Sequence, residues 1–133
     1  MDAQDSVFGE VRAELGQGRK SSHWMWFIFP QIRGLGSSHM ANQYAIASRE
    51  EAAAYLAHPV LGPRLGECTR LVNLVEKRSI EQIFGYPDYL KFRSSMTLFR
   101  EATSDNQAFR YALEKYFDGI PDERTLALLL PRP

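Results

Sequence analysis

The residue types best suited to chemistry gather in two short stretches of the chain. The first, Ser22-His23-Trp24-Met25-Trp26-Phe27-Ile28-Phe29-Pro30-Gln31, holds both tryptophans, a histidine and a proline, and runs directly into Arg33-Gly34-Leu35-Gly36-Ser37-Ser38. An imidazole set against aromatic rings can act as a neutral acid or base, donate a hydrogen bond to a ligand, or sit satisfied in a core. Tryptophan adds a large apolar area and an N–H that needs a partner when buried, so the segment is a core wall or one side of a pocket. On a helix His23 and Trp26 share a face, while Trp24 points roughly 100° away from His23, which lets one indole fill the core and the other line a surface depression.

The second stretch is Asp88-Tyr89-Leu90-Lys91-Phe92-Arg93-Ser94-Ser95-Met96-Thr97. At helical spacing Asp88, Lys91 and Ser95 fall on one face, and Tyr89 and Arg93 on another. The plain reading is a surface ion pair plus two serines hydrogen-bonded to the preceding turn. The functional reading is a polar stripe facing the aromatic segment, in which Lys91 holds an anion and Asp88 orients it or serves as a base. Three poor helix formers close together, Ser94, Ser95 and Thr97, favour the functional reading. The candidate catalytic residues are therefore His23 and Asp88, and the candidate ligand-binding residues are Trp24, Trp26, Gln31, Arg33, Lys91, Ser94 and Ser95.

Other chemistries find little footing. Gly34-Leu35-Gly36 lacks both the third glycine of a dinucleotide fingerprint and the Gly-Lys-Ser/Thr ending of a P-loop. An anion could still settle where Ser37 or Ser38 opens a helix, although a plain glycine-rich connection serves as well. His23, His39 and His58 are isolated from one another and from the sole cysteine, Cys68, so no metal site and no cofactor are expected. No Gly-x-Ser-x-Gly elbow supports a serine nucleophile. Cys68 lies in an apolar helical pattern and is expected to be a buried structural residue.

These residues must be positioned by helices, because no stretch alternates polar and apolar residues for a sheet and no long-period repeat is present. The spacing predicts helices over about residues 3–16, 23–29 (with a buried strand as the alternative), 49–57 and 60–77. Ser22, Ser48, Ser79, Asp105 and Asp122 are the expected caps, and Ser37 or Ser38 opens a short turn of helix carrying Met40 and Tyr44. Pro30, His58-Pro59 and Gly85 mark the stops. At 133 residues, 44% of them apolar, the chain suits one domain of about seven or eight short helices in an orthogonal or irregular all-α bundle. Sixteen basic residues balance sixteen acidic ones, which argues against duplex nucleic acid as the main partner. The longest uncharged apolar run, Trp24 to Pro30, is far shorter than a membrane span, and with no signal-like opening the protein is expected in the cytoplasm, with no membrane partner.

The run His23 to Gln31, read with Gly34-Leu35-Gly36, Tyr55-Leu56-Ala57-His58-Pro59-Val60-Leu61-Gly62, Ile83-Phe84-Gly85 and Ser94-Ser95-Met96-Thr97-Leu98-Phe99, closely resembles the bacterial domain-of-unknown-function family 1810. Its members are sometimes labelled calpastatin-like. The resemblance covers nearly the whole chain and implies a mainly helical domain, without supplying catalytic residues. Similar proteins usually carry several more residues of the opening helix than this chain, which starts at about Asp2-Ala3-Gln4. The expected function is the binding of a small, nucleotide-like molecule between the His23–Gln31 aromatics and the Asp88–Thr97 helix. The alternative is a non-catalytic interaction module that presents the aromatic segment as an exposed patch to a partner protein.

Overall fold

A computed structural model of the chain describes residues 2–36 and 38–130. Ten helices lie among the described residues: α1 (Asp2–Asp5), α2 (Phe8–Gly16), α3 (Met25–Ile28), α4 (His39–Tyr44), α5 (Arg49–Ala57), α6 (Leu61–Leu74), α7 (Ile80–Phe84), α8 (Asp88–Ala102), α9 (Gln107–Phe117) and α10 (Glu123–Leu129). The all-α class is as expected, and the helices outnumber the seven or eight anticipated. One cause is local to the opening helix, which divides at Ser6-Val7. There the Gln4 side chain turns inward, donating to the Phe27 carbonyl at 2.6 Å and the Tyr55 hydroxyl at 3.1 Å, while the Val7 N–H closes a tight turn on the Gln4 carbonyl.

Helix boundaries follow the local chemistry wherever a cap is available nearby. Ser48 Oγ accepts from Glu51 N and opens α5, and Ser79 and Gln82 form a reciprocal capping box at α7. The Asp122 carboxylate accepts from Thr125 N at α10, and Ser38 Oγ accepts from Ala41 N at α4. The alternative cap Ser37 lies outside the described residues. His58 serves as more than a stop, because its Nδ1 accepts from Val60 N and Leu61 N at 3.1 and 3.2 Å and so starts α6. That helix ends earlier than the predicted 77: Lys115 Nζ donates to the carbonyls of Asn73 and Val75, both at 2.6 Å, and holds the chain in its outward turn. Asp105 does not cap α9. Asn106 takes the N-cap position, its amide donating to the Arg100 carbonyl at 3.0 Å.

Helix α8 packs against α5, α7, α9 and α10, while α6 packs against α2, α5 and α9. Phe92 is wholly buried, 4.9 Å from Phe84 in a stacked arrangement and 5.0 Å edge-on from Phe29, so the aromatic segment and α8 meet in the core. Cys68 is buried there as expected, and burial pushes its thiol up to about 12. Among the described residues a single parallel bridge pairs Ile32 with Ile46, in which Arg33 N donates to Ile46 O and Ile46 N donates to Gln31 O, both at 2.8 Å. This bridge fixes the course of the chain between α3 and α5.

Candidate functional site

The site begins with a carboxylate that pattern reading overlooks. Glu14 on α2 is buried, and its Oε1 accepts from Ser21 N at 2.7 Å, Ser22 N at 3.0 Å and the Trp24 indole N–H at 3.0 Å, while Oε2 accepts from Ser22 Oγ at 2.7 Å. Burial raises its pKa, yet the four donors outweigh that cost and hold the carboxyl below its usual range. Because Ser22 is consumed here, it does not cap α3. The helix starts after Trp24, and His23 stays outside it.

Trp24 is consequently a core residue. At 1% exposure, edge-on to Phe84 and with its N–H satisfied by Glu14, it has no face to offer a ligand. Trp26, two residues on, is half-buried and faces a surface cleft of about 650 Å³. One wall comes from Trp26, Gln31, Leu35 and Gly36 with Ser38 and Ala41, a second from Pro87, Leu90, Lys91 and Ser94 on and before α8, and a third from Asp122 and Arg124 at the start of α10. Gly36 is required by close approach, since a Cβ there would lie 2.7 Å from that of Ala41.

Charge in the cleft is organised around Asp88. Its Oδ2 lies 2.8 Å from Lys20 Nζ and its Oδ1 lies 3.2 Å from Lys91 Nζ. Each lysine also stands over an indole, Lys20 at 5.2 Å from the Trp24 ring centroid and Lys91 at 4.7 Å from that of Trp26. Asp88 is thereby committed to two ammonium groups, and it does not line the cleft. Arg124, exposed at the rim, makes no ion pair among the described residues. The Asp122 carboxylate, by contrast, is occupied by Thr125, accepting from its N–H at 3.0 Å and its hydroxyl at 2.6 Å.

Of the residues singled out from sequence, the cleft brings together Trp26, Gln31, Lys91 and Ser94. His23 is exposed and Arg33 is exposed, and neither lines it. Ser95 is wholly buried and its hydroxyl has no partner among the described residues, so its expected contact with a ligand is corrected to a core position. Ser94 donates back to the Leu90 carbonyl at 3.1 Å, the plain role foreseen for it and for Ser95 but met only by Ser94, and Thr97 donates likewise to the Arg93 carbonyl at 2.9 Å. Most of the aromatic segment is turned into the core: Trp24, Met25, Ile28 and Phe29 are each 1% exposed, and Trp26 and Phe27 are half-buried. Glu14 and Arg124 were missed by spacing, since the partners of Glu14 lie in the loop that returns to it and Arg124 reaches the cleft only through the placement of α10. Among the described residues no group of three or more His, Cys, Asp or Glu side chains is placed to hold a metal ion, and no helix is long and apolar enough to cross a membrane.

Fold and site together define a small all-helical protein with a surface cleft whose lining includes an indole, a lysine and an arginine. The chain belongs to the family described as "Protein of unknown function (DUF1810)", whose model matches residues 1–129. It is similar to the crystal structure of the conserved hypothetical protein Rv1873 from Mycobacterium tuberculosis, with 60% sequence identity, a TM-score of 0.96, and coverage of 98% of this chain and 93% of that one. No curated protein matches it.

Proposed function

We propose that the cleft binds a small molecule that joins a planar, nucleotide-like part to an anionic group. The observation that carries this reading is the position of Lys91, whose ammonium lies over Trp26 and against Asp88 within a cleft that Gln31 and Arg124 also line. The anionic group meets Lys91 and the guanidinium of Arg124, which together offer charge-assisted donors. Gln31 supplies an amide that can both donate and accept. Because the ammonium covers part of the Trp26 ring, the planar part lies beside it, against the indole edge and the apolar side chains of Leu35 and Leu90. Asp88 enters as the counter-charge that holds Lys91, and His23 and Arg33, outside the cleft, take no part. The reading is one of binding, and it assigns no bond-breaking step.

A thermal-shift series with AMP, ADP-ribose, sugar phosphates and small organic acids tests it. A ligand at 100 times its dissociation constant stabilises the fold by roughly 2.7 kcal/mol, which moves the midpoint of a domain of this size by several degrees. At least one anionic planar compound is expected to produce that shift in the wild type and in His23→Ala, and to lose it in Trp26→Ala and Lys91→Ala. Equal shifts in all four proteins, or none from any compound class, would overturn the reading.

A further inference from the structure

We infer that Lys20, which does not line the cleft, is a positioning residue that sets the affinity of Lys91 for an anion by dividing the charge of Asp88. This inference rests on the cleft reading and concerns how that site is regulated. Lys20 lies in the loop after α2 with its backbone N–H on the Ile83 carbonyl at 2.7 Å, and its side chain is only 9% exposed. The shorter contact of Asp88 is to Lys20, at 2.8 Å against 3.2 Å to Lys91, so its charge is spent mainly on the more buried partner. Counting Lys20, Asp88 and Lys91 as a unit, two positive charges and one negative leave a net +1, and the cleft receives that charge at the Lys91 ammonium. Without Lys20 the carboxylate has one cation left to neutralise, and the unit falls to zero.

The two indoles fit this division of labour. Lys20 lies over the buried Trp24, which Glu14 holds in place, whereas Lys91 lies over the half-buried Trp26 at the cleft. Each ring face stabilises an ammonium without neutralising its charge, so the cation–π contacts keep both lysines in position while the net charge survives for a ligand. The same arrangement explains why an acidic residue sits beside an anion cleft at all: Asp88 aims Lys91, and Lys20 offsets the repulsion that Asp88 would exert on an incoming anion.

The test is a charge cycle read by calorimetric titration of AMP and of inorganic phosphate into the wild type, Lys20→Met, Lys20→Arg, Asp88→Asn, the Lys20→Met/Asp88→Asn double variant and Lys91→Met. Lys20→Met is expected to weaken binding roughly three- to tenfold, the scale of one partly screened charge removed at this range. Lys20→Arg should restore most of the affinity. The double variant should recover it as well, because removing both charges returns the unit to +1, whereas a purely structural role for Lys20 predicts that the double variant binds no better than the single one. If Lys91→Met abolishes binding while Lys20→Met leaves it unchanged, the relay is wrong and the cleft reading stands. A wild-type chain that takes up neither probe overturns both. Unfolding curves for every variant separate lost affinity from lost fold.

Discussion

At the scale of single residues, Glu14 matters most to the site without touching the cleft. A carboxylate that accepts four hydrogen bonds fixes Ser21, Ser22 and Trp24, and through them the direction in which Trp26 leaves the core. Replacing Glu14 by alanine orphans the buried indole N–H and is expected to cost roughly 2–4 kcal/mol in urea unfolding at neutral pH. The pH dependence has a definite sign. Because the folded-state pKa is lowered from 4.5, the carboxylate stabilises the fold fully above the unfolded-state pKa, and that stabilisation drains away as the pH falls below about 4.5 toward the folded value. Glu14→Gln should therefore flatten the acid limb of stability against pH in the range below 4.5, and an unchanged acid limb would refute the assignment. Trp26 and Lys91 were legible in the sequence as aromatic and cationic types within their two stretches, Gln31 as the polar end of the aromatic run, and Ser94 as a poor helix former inside a predicted helix. Glu14 was not, because an acidic residue on an amphipathic helix looks solvated until the loop that returns to it is known.

At the scale of elements, legibility tracks the distance of the capping partner. The bounds of α5 agree with the predicted 49–57, since Ser48 sits one residue ahead and Pro59 two residues behind. The α7 capping box is equally local. Helix α3 fell short of the predicted 23–29 because its expected cap was drawn away by a residue on another helix, and α6 stopped short of 77 because Lys115 on α9 holds the carbonyls at its end. The junction of α5 and α6 carries a sharper constraint. A Cβ at Gly62 would stand 2.0 Å from the Leu56 carbonyl oxygen, a backbone atom that cannot rotate aside. Gly62→Ala is expected to destabilise the protein by roughly 1–3 kcal/mol, as overpacking does, despite the better helix propensity of alanine. Chemical denaturation measures the outcome, and a stabilised variant would mean that the two helices can part at no cost.

At the scale of the whole molecule, the cleft is a product of tertiary assembly. Its walls come from three separate segments, residues 26–41, 87–94 and 122–124, and the third of them, at α10, carried no signal linking it to the other two. What brings it there is Arg93 on α8. Its Nε donates to the Ile120 carbonyl at 2.9 Å and an Nη donates to that of Pro121 at 3.2 Å, while its guanidinium lies 5.6 Å from the centroid of the Phe117 ring. One turn on, Thr97 Oγ1 accepts from Asp122 N at 2.9 Å, which aligns the cap of α10 with the same helix face. The polar residues of α8 thus divide between the cleft, which takes Lys91, and the attachment of α10, which takes Arg93 and Thr97. Arg93→Ala leaves every cleft-lining side chain in the sequence, yet it removes the three contacts by which Arg93 holds the approach to α10, the helix that carries Arg124. Amide exchange over residues 123–129 should then quicken, because the local opening of α10 becomes easier, while the core of α8 around Phe92 and Met96 keeps its protection. Any anion that binds the wild-type cleft should bind this variant more weakly, with the loss residing in dissociation, since the entrance keeps its charge and the clamp loses its rigidity. Unaltered exchange over α10 would show that its packing alone suffices to hold the third wall in place.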